Sequence, residues 1–424
     1  MQKKHRLFWP LVRNTVVSLL LVTLGLVLGF RYASEGQLFG RKITPLDNLA
    51  KQARSANLVD MMDSPSQNAK VSMNTFWEVW RLLERDYLET DKLDANEMMD
   101  GAISGMVWGI GDPHTTYLPP EDNAKAEEDL AGSFYGVGIE LAYIDGAVGI
   151  LAPLSGSPAE KAGLLAGDII THVKDSAKNL DEDTTKWTLD DAVKNIRGPK
   201  NTPVIISIYR KSDNSTQDIT VIRDEIVVKS VTLEFVERSG KTYAHLKLAK
   251  FGERTLSEWN SAVSEILARR ASLSGLVLDL RNNPGGFFDV SIDVASDFVK
   301  SGVVVSQKSK FNTKNYNTTG KARLLGLPTV VLVNKGSASA SEIVAGALRD
   351  DVGIKLIGEK TFGKGTVQDR RELSNGGGLH ITVGRWLTPS GGWIHDDGLE
   401  VDLEVPQDYD TVADEVLDAA LGQF

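Results

Sequence analysis

Cysteine is absent from the 424 residues, so no disulfide braces this chain and its redox compartment cannot be read from thiols. Histidine is scarce, with six in all. None lies close in sequence to the serine-rich stretch that carries the strongest motif, so a base for a serine there has to come from another residue type. Positive charge is in deficit as well: 47 Lys and Arg against 57 Asp and Glu leave a net charge of −10 and a pI near 5.3. Phosphate binding needs clustered cations, so nucleic acid is excluded as a general partner. Hydrophobic residues (42%) and charged residues (25%) are present in ordinary amounts, and the length suffices for two or three globular units.

Long apolar runs are also rare, and the first follows a basic end. Residues 1–14 carry Lys3, Lys4, Arg6 and Arg13, and Thr15 to Phe30 is apolar. About 16 residues is short for a helix crossing ~30 Å of hydrocarbon, although Leu7 to Val12 extends the run despite Pro10 and Arg13. A cleaved signal peptide is disfavoured because Arg31 stands where a small residue should precede Ala33. The expectation is an uncleaved transmembrane anchor over 15–32, with its basic end in the cytoplasm and the remainder outside, followed by a polar spacer over 33–70.

The apolar run Pro328 to Val333 reads as a buried strand that turns at Asn334-Lys335-Gly336 into a helix marked by Ile343, Val344, Ala347 and Leu348. Small residues, Ser337, Ala338, Ser339, Ala340 and Ser341, occupy the bend. Such a bend can present a hydroxyl for attack on a carbonyl, or simply cap a helix through Ser337 or Ser341 with Glu342 in the first turn. A partner lies downstream: Lys364, between Gly363 and Gly365, with Gln368 four residues on. Lysine can deprotonate a serine if burial lowers its pKa from about 10.4 toward about 8. A glutamine can orient the amine without adding charge. On a regular strand Lys364 and Gln368 lie about 13 Å apart, so a bulge near Gly365 or the reach of both side chains has to close the gap. A third stretch, the strand Leu276 to Leu280 followed by Asn282-Asn283-Pro284-Gly285-Gly286, offers backbone N–H groups which, with that of Ala340, could form an oxyanion hole.

With these three pieces the chain resembles the carboxyl-terminal processing, or tail-specific, serine protease family, from about residue 70 to the end. The resemblance implies Ser339 as nucleophile, with Ser341 left as the cap, Lys364 as base and Gln368 as its orienting partner. It implies oxyanion donors at Gly285 or Gly286 and at Ala340, with no cofactor and no metal. It also implies an α/β fold: a layered, crotonase-like protease core over 226–424, a β-rich PDZ domain over 131–225 and an N-terminal helical region over 71–130. The PDZ domain would hold a peptide's carboxyl end on the loop of Tyr135, Gly136, Val137 and Gly138.

The reading that follows is a single-pass membrane protein whose extracytoplasmic part recognises protein or peptide substrates by their free carboxyl ends. It cleaves them through an acyl-enzyme on a Ser-Lys dyad. An activator protein and a homo-oligomer are compatible with the resemblance. Two other classes are weaker. Gly358 to Gly365 nearly spells a phosphate loop, but Gly365 stands where its metal-binding hydroxyl belongs. A catalytically silent PDZ scaffold lacks support because every catalytic residue type is present.

Periodicity supplies the rest of the frame. Helices are expected over Met73 to Tyr87, Ala95 to Trp108, Leu189 to Ile196, Leu256 to Arg270 and Val290 to Val299, and a short capped helix begins at Ser157. Strands are expected over Ile169 to Val173, Val204 to Tyr209 and Thr242 to Leu248. His114, in a loop with no metal-like neighbours, is assigned a structural role, and Arg197 either senses substrate or sits in solvent. Residues 301–327 read as a polar loop or hairpin near the site. The stretch Gly392-Trp393-Ile394-His395-Asp396-Asp397 departs from the family pattern.

Overall fold

The computed structural model describes residues 37–38, 41–42, 72–407 and 413–424. The expected anchor over 15–32 lies outside the described residues, as does most of the spacer. Among the described residues no helix is long and apolar enough to cross a membrane. The chain divides into two units, residues 1–94 and 95–424. In the first, the helix Asn74–Asp86 sets Phe76 edge-on to Trp77 and tilted to Trp80, at centroid distances of 4.9 and 6.0 Å.

The second unit contains a β-rich part and a layered part. In the β-rich part the strands run in the order Ser215–Ile222, Pro203–Arg210, Ile169–Asp175, Ala147–Pro153, Ile139–Ile144, with Leu180–Asp183 paired to Ile169–Asp175. Their inward residues, among them Val148, Ile150, Ile170, Val173, Ile206 and Ile208, close a core with Val137, Leu164 and Ile196. The helix Pro158–Ala162 starts on the Ser157 side chain, and Gly163, at φ 89°, ends it. The helix Leu189–Ile196 is capped reciprocally by Thr188 and Asp191.

The layered part is built on a six-stranded sheet in the order Val231–Arg238, Lys241–Leu248, Leu273–Asp279, Thr329–Val333, Lys355–Gly358, Leu403–Glu404. Its first pair is antiparallel and every later pair is parallel. Both faces are covered, which is why these strands read as unbroken apolar runs rather than alternating ones. Leu276, Leu278, Val331, Val333 and Leu356 pack toward the helices Thr255–Ala268, Phe288–Ala295 and Ala340–Ala347. Val277, Val330, Leu332 and Ile357 pack toward the helix Glu415–Leu421.

The expected helix Val290 to Val299 is Phe288–Ala295 instead. Ser296 Oγ donates back to the Ile292 carbonyl (2.6 Å), and the next residue, Asp297, turns inward to accept from Trp259 Nε1 and from Arg323. Residues 301–327 contain the hairpin Val303–Ser309 and Thr313–Asn317. It joins Gly378–Leu387 and Thr366–Glu372 in a second, antiparallel sheet, to which Thr116–Leu118 adds.

Three neighbouring parallel strands of the central sheet end side by side. Leu273–Asp279 runs into the Asn282 to Gly286 turn, Thr329–Val333 into the serine bend, and Lys355–Gly358 into the segment that carries Lys364. A crevice beyond the carboxyl ends of adjacent parallel strands is where open α/β sheets bind ligands.

Candidate active site

The three strand ends are sewn together by polar side chains, of which Asn283, Asn334, Ser337 and Ser341 are buried and Asn282 is exposed. Asn283 Nδ2 donates to the Leu248 carbonyl (2.7 Å), and its own carbonyl accepts from Ala338 N (3.0 Å) and Ser341 Oγ (2.8 Å). Asn334 Nδ2 donates to Asn282 Oδ1 (2.9 Å), while Asn282 N donates to Asn334 Oδ1 (2.8 Å). Ser337 Oγ donates to the Leu280 carbonyl (2.8 Å), and the Ser337 carbonyl accepts from Phe362 N (3.0 Å). Each such bond contributes about 1 kcal/mol net, and leaving one of these buried groups unpaired costs about 1–3 kcal/mol.

Ser339 is the N-cap of the helix Ala340–Ala347 and has φ 54°, ψ −113°. A non-glycine residue there stores about 1–3 kcal/mol of strain, which the surrounding bonds hold in place. The expected cap at Ser341 is therefore corrected. Positive φ takes Ser339 out of the helix while Ser341 lies inside it, its hydroxyl bonded to Asn283.

Glu342, read from sequence only as a first-turn acid, is the hub of the site. It is fully buried, and its two oxygens accept from four donors: Ser339 N (2.8 Å) and Lys364 N (2.9 Å) on Oε2, and Gly363 N (2.7 Å) and Thr361 Oγ1 (2.6 Å) on Oε1. Burial pushes its carboxyl up from the ordinary range, and the four hydrogen bonds pull against that shift. The shared oxygen keeps the backbone nitrogens of Ser339 and Lys364 within about 6 Å of each other.

The Lys364 segment is also held from the opposite side. Its carbonyl accepts from Trp386 Nε1 (2.8 Å), the Gly365 carbonyl from Trp393 Nε1 (2.9 Å), and the Gly363 carbonyl from Asp396 N (2.9 Å). The two glycines are explained by this contact. A Cβ at Gly363 would lie 2.8 Å from Gly398 N, and one at Gly365 would lie 2.8 Å from Trp393 Nε1. The stretch 392–397 that departs from the family pattern is thus a packing partner of the backbone on either side of the lysine. Burial lowers the Lys364 pKa below its ordinary 10.5, while Glu342 and Asp112 oppose the shift. Its ammonium group makes no hydrogen bond among the described residues.

A cavity of about 380 Å³ brings Ser339, Lys364, Gln368 and Gly286 together, with His114 and His380 on its wall. His114, assigned a structural role from sequence, therefore faces the same space as the lysine. Burial, and for His114 also Lys364, lowers its pKa; burial with Arg370 does the same for His380. The expected bulge lies between Val367 and Gln368 rather than at Gly365. The Gln368 amide is committed within its own sheet, donating to Thr366 Oγ1 (2.8 Å) and Thr382 Oγ1 (3.2 Å).

The two candidate oxyanion glycines differ. Gly285 N already donates to Asn283 Oδ1 (2.9 Å), and a Cβ on Gly285 would lie 2.9 Å from Ser339 Cβ. Gly285 is thus a close-approach position whose N–H is engaged. The parallel bridge to Phe251 uses the Gly285 carbonyl and the Phe287 N–H, which leaves the Gly286 N–H out of the ladder. The Ala340 N–H is the first of its helix and has no intrahelical acceptor.

In the β-rich part, Tyr135 and Gly136 belong to the strand Ser133–Gly136, paired with Asp224–Val227; only Val137 and Gly138 form the loop expected over all four. Val137 is buried, and Gly138, at φ 77°, packs where a Cβ would lie 2.5 Å from Ser157 Cβ. Arg197 lies over the Phe134 ring (4.1 Å) and donates to Glu128 (3.0 Å), so it is engaged rather than free in solvent. A second cavity, of about 850 Å³, is lined by Phe134, Val193 and Arg197 and also by Asn282 and Pro284 of the catalytic-side turn.

Residues 242–405 match the family model described as Peptidase family S41, and residues 35–122 match that described as Activating protease CtpB N-terminal domain. The chain is 36% identical over 336 residues to the Carboxy-terminal processing protease CtpA of Bacillus subtilis (strain 168), covering 78% of this chain and 69% of that one. It is also 36% identical over 340 residues to a "Probable CtpA-like serine protease" of Staphylococcus aureus (strain MSSA476), covering 79% and 65%. It spans about two thirds of the length of these relatives. Among solved structures, a photosystem II D1 C-terminal processing protease is 31% identical, with 82% of this chain and 96% of that one covered and a TM-score of 0.47.

Proposed function

The chain belongs to the S41 family of carboxy-terminal processing serine proteases, and from that premise we propose that it cleaves proteins near their carboxyl ends by a Ser339–Lys364 dyad. The observation that carries the proposal is the single buried carboxylate, Glu342, on which the backbones of Ser339 and Lys364 are both hung at the mouth of one cavity. Desolvation favours the neutral amine of Lys364, which takes the Ser339 proton as Oγ attacks the scissile carbonyl. The N–H groups of Gly286 and Ala340 receive the developing oxyanion, and the protonated amine gives its proton to the leaving nitrogen of the substrate. Water, deprotonated by the same amine, then hydrolyses the Ser339 ester and restores the hydroxyl. In this scheme Gln368 acts through the wall of the pocket, its amide fixed by Thr366 and Thr382.

The β-rich part serves as a PDZ domain that receives the substrate's carboxyl end at Tyr135, Gly136, Val137 and Gly138, beside the helix Leu189–Ile196. The 850 Å³ cleft supports a path from there to the catalytic turn, since both contribute to its lining. The layered core is of the crotonase-like kind in this reading. The N-terminal run over 15–32 anchors the protein in the cell membrane with its catalytic part on the extracytoplasmic side.

The test is cleavage of a peptide with a free apolar carboxyl end. Ser339→Ala and Lys364→Ala should each lose activity by a factor of about 10⁴ or more while melting as cooperatively as the parent. Full activity in either variant contradicts the dyad. Peptide binding that survives in Ser339→Ala with no cleavage by the parent chain would instead favour a silent scaffold.

A further inference from the structure

Beside the dyad's cavity lies another, of about 540 Å³, and Thr366 lines both. Its wall is cationic in an acidic protein. Lys308, Arg385 and Thr366 form one row across three strands, Lys308 opposite Arg385 and Arg385 opposite Thr366. Directly opposed residues share a sheet face, and like charges so placed repel. Among the described residues neither cation has an ion pair. Arg385 instead lies over the Trp393 ring at 4.2 Å, and Lys310, two residues along from Lys308, also lines the space. The one acid on the wall, Asp112, is engaged by His114 N (2.9 Å) and Thr115 Oγ1 (2.6 Å). His395, also on the wall, has a buried Nδ1 without a hydrogen-bond partner.

We propose that this cavity is a subsite for a carboxylate of the peptide substrate, held by Lys308 and Arg385 against the Trp393 wall. The site rests on the protease reading above and deepens it, because Thr366 is two residues from Lys364 and a chain passing the dyad reaches both spaces. An anion here removes the repulsion between Lys308 and Arg385. It also sits on the ring whose Nε1 holds the Gly365 carbonyl, so its occupancy bears on the lysine segment. The carboxylate can come from an Asp or Glu side chain flanking the cleaved bond or from the chain end itself.

Two peptide series separate these sources: one scanning Asp or Glu against Asn or Gln through four positions on each side of the cleaved bond, the other comparing free with amidated ends. For the parent chain the acidic member at one position should show a KM about three- to tenfold below its amide, with little change in kcat. The preference should fade at high salt. The double variant Lys308→Glu/Arg385→Glu should lose or invert it, read as the ratio of KM for the acidic peptide to KM for its amide. The single change Lys308→Gln, which leaves the Arg385–Trp393 contact in place, should reduce it partway. In the chain carrying Ser339→Ala, anisotropy of the same labelled peptides reads binding without catalysis and answers the question if the parent is slow. No acid-over-amide preference at any position or at the chain end, or a preference the charge changes leave intact, overturns the proposal. Cleavage that persists in Ser339→Ala would sink the dyad and leave this binding result standing.

Discussion

The strand-end turns of the candidate site and the 850 Å³ cleft are built from different interactions. At the strand ends, Glu342, Asn283, Ser337 and Ser341 are buried and hydrogen-bonded to backbone, and Ser339 is held in a strained conformation. Around the cleft, the helix Pro120–Ala131 is tied to its surroundings by half-exposed ion pairs: Lys194 to Glu121, Arg197 to Glu128 and Lys250 to Asp129. Exposed pairs of that kind contribute about 0–1 kcal/mol each, whereas an orphaned buried group costs several times as much. The backbone that carries Ser339 and Lys364 is therefore fixed, and the walls of the cleft can rearrange cheaply.

The sharpest way to break this contrast is Glu342→Gln. An amide keeps the size but offers one acceptor oxygen to four donors, so kcat should fall by about 10²–10³ and stability by about 2–4 kcal/mol, read from initial rates and thermal melts. A melt close to the parent's would mean that the hub is not rigid. Next is Gly285→Ala, whose Cβ would press on Ala338 O and Ser339 Cβ at a φ of 101°. It should cost about 2–3 kcal/mol and shift Ser339, lowering kcat at least tenfold with KM nearly constant.

Lys364→Met sharpens the comparison in the opposite direction. The folded-state pKa of Lys364 is depressed, so between that value and the unfolded one near 10.5 the unfolded chain binds more protons, and across this window the residue makes parental stability rise with pH. The methionine variant should be inactive and melt a few degrees higher at pH 7, with the gap closing as pH approaches 10.5. The smallest effect is expected in the cleft. Arg197→Gln should change melting by less than about 1 kcal/mol and raise peptide KM only a few-fold, an effect that shrinks with salt.

Much of this molecule was legible in its sequence, and the gaps have physical causes. Helices with strong apolar period or a capping signal, such as Leu189–Ile196, were read within a residue or two. Phe288–Ala295 was overextended because Ser296 and Asp297 look helical until their partners are known. Two segments of the candidate site were visible as punctuated strand ends, and the third only as a lysine between two glycines. That they are neighbours was not, because parallel strand order is a long-range property that local pattern does not encode. Glu342 was hidden for a related reason: a glutamate in the first turn of a helix is ordinarily a solvated dipole partner, and only the Thr361 to Lys364 segment folded over it makes it a hub. The glycines at 363 and 365 signalled a close approach but not what approaches, and most of the answer, Trp393, His395 and Asp396, lay in the stretch that fitted the family pattern least, with Gly398 just beyond it.

The central claim is that an uncharged Lys364 amine activates Ser339, and the most direct measurement is the pH dependence of Ser339 acylation by a small activated ester that makes no use of the 850 Å³ cleft. In the parent chain the rate should rise with a single ionisation below 10.5 and then level off, and in Lys364→Met that ionisation should vanish along with most of the rate. An identical pH profile in the methionine variant would contradict the account.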